Sequence, residues 1–128
     1  MARKRVVAKM DPRRSKSRVS AIFTTTAKME DAKAICHTLL ARGLIACGTI
    51  LPAVTSIYKW KGAVEEATEY LVMLKTRSTL VERVMKELKK LHSYDVPEMV
   101  AFDASAVFKP YAAWVEEVAA ARGPSGKT

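Results

Sequence analysis

Apolar side chains recur along this chain with two different periods, and the switches between them mark out its elements. Residues 19–25, Val-Ser-Ala-Ile-Phe-Thr-Thr, are short, apolar and rich in β-formers, and they predict a first strand. Ala32, Ile35, Cys36, Leu39 and Leu40 then return at helical spacing. Thr26 is the candidate cap of that helix, Glu30 and Asp31 sit in its first turn, and Gly43 stands at its natural stop. From Ile45 to Trp60 the pattern is extended, with an interruption at Pro52. Proline donates no ladder hydrogen bond, so position 52 belongs at a sheet edge or a bulge. Beyond it Val54, Ser56, Tyr58 and Trp60 share one face, and Thr55, Ile57 and Lys59 the other. Lys61-Gly62 makes the turn, and Ala63 to Thr76 reads as the returning strand. Thr79 and Glu82 match a capping box ahead of a second helical stripe, Val81, Val84, Met85, Leu88 and Leu91. Met99 to Phe102 is short and β-like. Pro110 suits the first turn of a last helix whose apolar face is Tyr111, Trp114, Val115 and Val118.

The order β-α-β-β-α-β with a terminal helix is the ferredoxin-like α+β plan: an antiparallel sheet with the two main helices on one face. Its central hairpin is longer than the five or six residues usual for a strand, and the edges it exposes need a partner or a guard.

The chain of 128 residues suits one domain, and its net charge of +9 is unevenly placed. Residues 1–18 hold eight basic side chains against Asp11 alone, a net +7. The other 110 residues hold fourteen basic and twelve acidic groups, a net +2. Residues 1–18 are therefore expected to form a basic, disordered tail that attracts phosphates non-specifically, 19–121 the folded domain, and 122–128 a frayed terminus. The two cysteines, Cys36 and Cys47, have apolar neighbours and read as reduced thiols of a cytoplasmic protein. The Arg-rich tail leaves organelle targeting open. No stretch approaches the roughly 18 apolar residues of a membrane span.

Chemistry-bearing motifs are sparse. A P-loop, a G-x-G-x-x-G run and a C-x-x-C pair are all missing, and no enzyme is expected. His37 lies opposite the apolar stripe of its helix and reads as solvent-facing. His92 ends the second predicted helix, where a donor side chain is favourable; it also suits a soft or borderline divalent cation, with Asp95 and Glu98 nearby. One histidine is not a metal site, although symmetry multiplies each ligand. Alternation splits Glu65 and Glu69 from Glu66, so these three read as solvated charges that guard an edge. The aromatics Tyr58, Trp60, Tyr70, Tyr94, Tyr111 and Trp114 suit an interface; no strand carries the signature by which RNA-binding domains of this topology stack bases.

Taken together, several of these residues resemble the CutA divalent-cation tolerance family. They are Ala46-Cys47, Pro52, the run Ser56-Ile-Tyr58-Lys-Trp60-Lys-Gly62, Glu69 and Lys75-Thr76; then His92-Ser-Tyr94 with Pro97-Glu98; then Tyr111 and Trp114. The similarity covers about residues 19–118. It implies a ferredoxin-like fold assembled as a tight homotrimer through its sheets and long hairpin. It also implies a non-enzymatic part in tolerance of divalent cations, copper above all, with Cu(II) or another divalent cation bound weakly and no cofactor required. The implied subunit clefts are lined by Tyr58, Trp60, Lys75, His92, Tyr94 and Glu98. The alternative is a trimeric sensor or adaptor resembling PII signal proteins, with small anions held by Lys75. Copper coordination in the family is assigned to a cysteine and two adjacent histidines. Thr24 stands at the cysteine position, Leu91 at the first histidine, and His92 alone remains; Ser93 replaces the usual proline after it.

Overall fold

A computed structural model describes residues 18–121. The expected tail, save Arg18, and the expected frayed terminus lie outside those residues. Strand β1 (Val19–Thr26) leads to helix α1 (Met29–Ala41), then to the hairpin of β2 (Cys47–Trp60) and β3 (Ala63–Arg77). A 3₁₀ turn (Ser78–Leu80) opens helix α2 (Val81–Leu91), and β4 (Val100–Asp103) and helix α3 (Lys109–Val118) complete the chain. The sheet runs β2-β3-β1-β4, with every pairing antiparallel. This is the ferredoxin-like arrangement the element order predicts.

The hairpin keeps its length because local chemistry permits it. Lys61 (φ 51°) and Gly62 (φ 84°) are both left-handed, which gives a two-residue turn that matches strand twist. Pro52 does interrupt β2, as a bulge. The β2–β3 register shifts between Leu51 and Val54, and Ala53 takes a φ of 57°. Since β2 is an outermost strand, the proline costs no ladder bond on its free side.

Two caps depart from expectation. Thr26 is still paired in β1, opposite Tyr70, and its hydroxyl donates to the Lys28 carbonyl; the helix starts after Lys28 without a side-chain cap. Thr79 lies inside the 3₁₀ turn, so α2 begins one residue later than the capping box requires and likewise has no side-chain cap.

The core lies between one sheet face and the helices. Ile22, Val72 and Leu74 meet Ile35, Leu39, Val84 and Leu88, all essentially without solvent access. Gly48 faces α1 so closely that any Cβ there would overlap the Cys36 sulfur, with Leu74 also in contact. Gly48→Ala is therefore expected to destabilise the fold by roughly 1–3 kcal/mol through overpacking. Denaturant titration checks this, and adding Cys36→Ala should restore most of the loss.

Since Gly48 points toward α1, Cys47 points to the other face, and there its sulfur meets the Tyr111 hydroxyl at 3.5 Å. Helix α3 thus crosses the far face of the sheet at the Cys47 end. Arg77 anchors the end of that helix by donating from Nε to the Ala119 carbonyl (2.5 Å) and from a terminal nitrogen to that of Ala121 (3.1 Å). Much of the rest of the far face, apart from Lys75 with Thr49 and the Thr25–Glu69 end, is apolar and uncovered. Met73, Phe23 and Val100 lie in register across three strands, Leu51 pairs with Leu71, and Phe102 stacks edge-on to Phe23 at 5.5 Å.

Candidate functional site

Alternation along the hairpin sets the site's first wall. Tyr58 pairs with Glu65, Ser56 with Ala67 and Val54 with Glu69, so Ser56, Tyr58, Trp60, Glu65 and Glu69 share one face. The second wall is the irregular segment after α2, which carries Tyr94, Asp95, Val96 and Glu98. Between them lies an open cleft of about 720 Å³. No lysine, arginine or histidine lines it.

A chain of hydrogen bonds holds the second wall. Helix α2 ends at His92, whose backbone turns extended (φ −83°, ψ 141°) while its ring stays buried. The Tyr94 N–H donates to His92 Nδ1 at 3.1 Å. His92 Nε2 lies 2.8 Å from the Thr25 carbonyl and 3.2 Å from Thr24 Oγ1. A carbonyl only accepts, so the Nε2 position carries the proton and the Nδ1 lone pair receives the Tyr94 N–H. The Tyr94 ring packs on the imidazole with centroids 4.9 Å apart, and its hydroxyl donates to Glu69 Oε2 at 2.7 Å. Strand β1, His92, Tyr94 and Glu69 are thereby linked in one line. Burial and the Glu69 contact push the Tyr94 phenol well above its ordinary range.

Burial lowers the His92 pKa below its ordinary 6.5, outweighing the Thr25 carbonyl and nearby acids, which favour the cation. The unfolded chain therefore binds the proton more readily than the folded one. His92 contributes its full stability above about pH 6.5, and that contribution falls as pH drops from there toward the depressed folded value. Urea titrations across this window should show a steeper loss for the native chain than for His92→Gln.

The cleft gathers Tyr58, Trp60, Tyr94 and Glu98, four of the six expected residues. His92 lies behind Tyr94, outside the lining. Lys75 is elsewhere: its ammonium donates to Thr49 Oγ1 at 3.0 Å, at the Cys47 end of β3. An anion in this cleft would find no lysine there. Glu69 corrects the sequence reading, since it is not a solvated edge charge: only 8% of it is exposed, and Tyr94 holds it. Asp95, expected only as an acid near His92, and Glu65, expected as an edge charge, join the lining. Thr24, at the position of the family's cysteine, does touch His92, and Leu91 packs against the core.

The described residues of a single chain do not compose a metal centre. Nowhere among them do three His, Cys, Asp or Glu side chains come together to hold an ion. A cation at His92 Nδ1 must first displace the Tyr94 N–H. Cys47 and Tyr111 bond each other, and burial with that contact pushes the phenol up to about 12. Burial likewise raises the Cys36 thiol, with the Cys47 sulfur adding to it. A larger open groove, about 1060 Å³, lies between the start of α2 and the end of α3, lined by both signs of charge.

Comparison with known proteins places this arrangement. The family model of the CutA1 divalent ion tolerance protein matches residues 20–118. The mouse Protein CutA is 38% identical over 108 residues, which are 84% of this chain and 61% of that protein. The Thermus thermophilus divalent-cation tolerance protein CutA is 35% identical over 96 residues, 75% of this chain and 93% of that one. The crystal structure of CutA1 from Ehrlichia chaffeensis superposes with a TM-score of 0.77 at 33% identity, covering 82% of this chain and 97% of that one. The chain spans 56–61% of the mouse and human proteins' lengths.

Proposed function

This chain belongs to the CutA1 divalent ion tolerance family, and from that premise we propose that it serves divalent-cation tolerance as a homotrimer, by binding and not by catalysis. The observation that carries the proposal is the uncovered apolar face. Val100 and Phe102 are 42% and 55% exposed on β4, and Leu51 is 39% exposed at the opposite margin of the same face. A contiguous apolar patch of this kind marks a protein interface. The two free margins, β2 and β4, differ, so a contact between them is head-to-tail, the kind that forms a ring when its rotation closes. The sequence resemblance sets the ring at three chains.

Cation contact in this reading is weak and completed between chains, because the described residues of one chain gather too few donors for a tight site. Imidazole and thiol donors favour copper among divalent ions, which makes Cu(II) the first cation to test. The reduced Cys36 and Cys47 support a reducing, cytoplasm-like compartment. No helix among the described residues is long and apolar enough to cross a membrane. Calorimetry of the assembled protein with Cu(II) and Zn(II) tests the cation reading. A saturable heat that is weak for both and larger for copper supports it; no heat with either ion removes it.

A further inference from the structure

We propose that the cleft between the hairpin and the segment after α2 binds the alkylated ammonium group of a small organic cation. This goes beyond the divalent-cation reading and does not depend on it. A bare metal ion needs several donors converging on one point at about 2.0–2.6 Å. The cleft has the opposite layout. Glu65, Glu69, Asp95 and Glu98 are spread along its lining, and among the described residues no three such side chains converge. Its volume, about 720 Å³, suits a molecule and not an ion.

Two further features define the chemistry. The first is Glu69. Its side chain is more than nine-tenths buried, it faces the cleft, and no cationic side chain among the described residues pairs with it. Tyr94 offers one neutral hydrogen bond to one oxygen, which leaves the charge without a counter-ion. A buried carboxylate in that state favours an incoming cation. The second is the aromatic wall of Tyr58, Trp60 and Tyr94. A ring face attracts an ammonium group within about 6 Å of its centroid. Trp60 already has the Lys61 ammonium 5.9 Å from its ring, an example within this chain of that attraction. An alkylated ammonium needs no converging acceptors. Its methyl skin packs on the rings and on Val96, and its diffuse charge is balanced by carboxylates at a distance.

The test compares choline with its neutral carbon isostere, 3,3-dimethylbutan-1-ol, on the full chain at fixed ionic strength. The readout is the indole N–H signals of the two tryptophans in a ¹⁵N-labelled sample. Choline is expected to shift the Trp60 signal saturably and leave Trp114 in place, with the isostere about tenfold weaker. Glu69→Gln, which keeps an acceptor for Tyr94, and Trp60→Leu, followed through the backbone signals of Tyr94 and Glu98, are each expected to weaken choline about tenfold. The exposed Glu65→Gln guards against a folding artefact at position 69 and should weaken choline in the same direction. Equal binding of choline and isostere, no shift of Trp60 by either, or unchanged affinity in both glutamate variants overturns the proposal. None of these outcomes alters the copper heats, so failure here is distinct from failure of the tolerance reading.

Discussion

Phe102→Asp is expected to separate the assembled protein into single chains at concentrations where the native protein stays together. Phe102 is more than half exposed on the edge strand β4, against Phe23, at one margin of the uncovered apolar face. In an assembly through that face the side chain is removed from water, and a carboxylate in its place is left desolvated and unpaired. A buried aromatic anchor costs about 2 kcal/mol or more per contact when lost, and a three-fold ring repeats the loss at each interface, roughly 6 kcal/mol in all. The chain itself should keep its fold, because Phe102 is not part of the buried core. Phe102→Leu, which preserves the apolar surface, should remain associated. Size-exclusion chromatography with light scattering on the three proteins checks the ordering.

His92→Leu is expected to cost about 3–5 kcal/mol of folding stability, because it deserts three polar groups at once, each worth roughly 1–3 kcal/mol when left unmade. They are the Thr25 carbonyl, the Thr24 hydroxyl and the Tyr94 N–H. The apolar replacement fills the space and answers none of them. The loss should also loosen Tyr94 and with it the hydrogen bond to Glu69, so the cleft's second wall is expected to exchange its amides faster. His92→Gln should recover part of the loss, since a carboxamide can both donate and accept. Chemical denaturation with hydrogen exchange measures both effects. Were His92 held chiefly as a cation ligand, its removal would abolish copper heats and leave the metal-free stability unchanged.

The elements governed by local chemistry were legible in the chain. The stripe of Ile35, Cys36 and Leu39, the left-handed pair Lys61-Gly62 and the bulge-forming Pro52 each act within a few residues of themselves. The two caps were not legible, because tertiary pairing decided them. Thr26 stays in the ladder opposite Tyr70, and Thr79 is taken into a 3₁₀ turn after a strand that runs on to Arg77. At the site, alternation put Tyr58 with Trp60 on one face of β2 and Glu65 with Glu69 on one face of β3, and the pairing of Tyr58 with Glu65 joins the two. Alternation could not bury Glu69, because the Tyr94 that covers it arrives from 25 residues away. Lys75 shares a strand with Glu69, but six residues at about 3.3 Å each carry it roughly 20 Å along the sheet. The two roles of His92 were open in the sequence, and the structure supplies geometry for the structural one: both ring nitrogens have partners within the chain.

The proposed assembly through the uncovered sheet face is tested most directly by the mass of the native protein in dilute solution. Sedimentation equilibrium should return three times the 14.1 kDa of the chain, unchanged on dilution through the low micromolar range. A cooperatively folded species of one chain mass at the same concentrations would contradict the account.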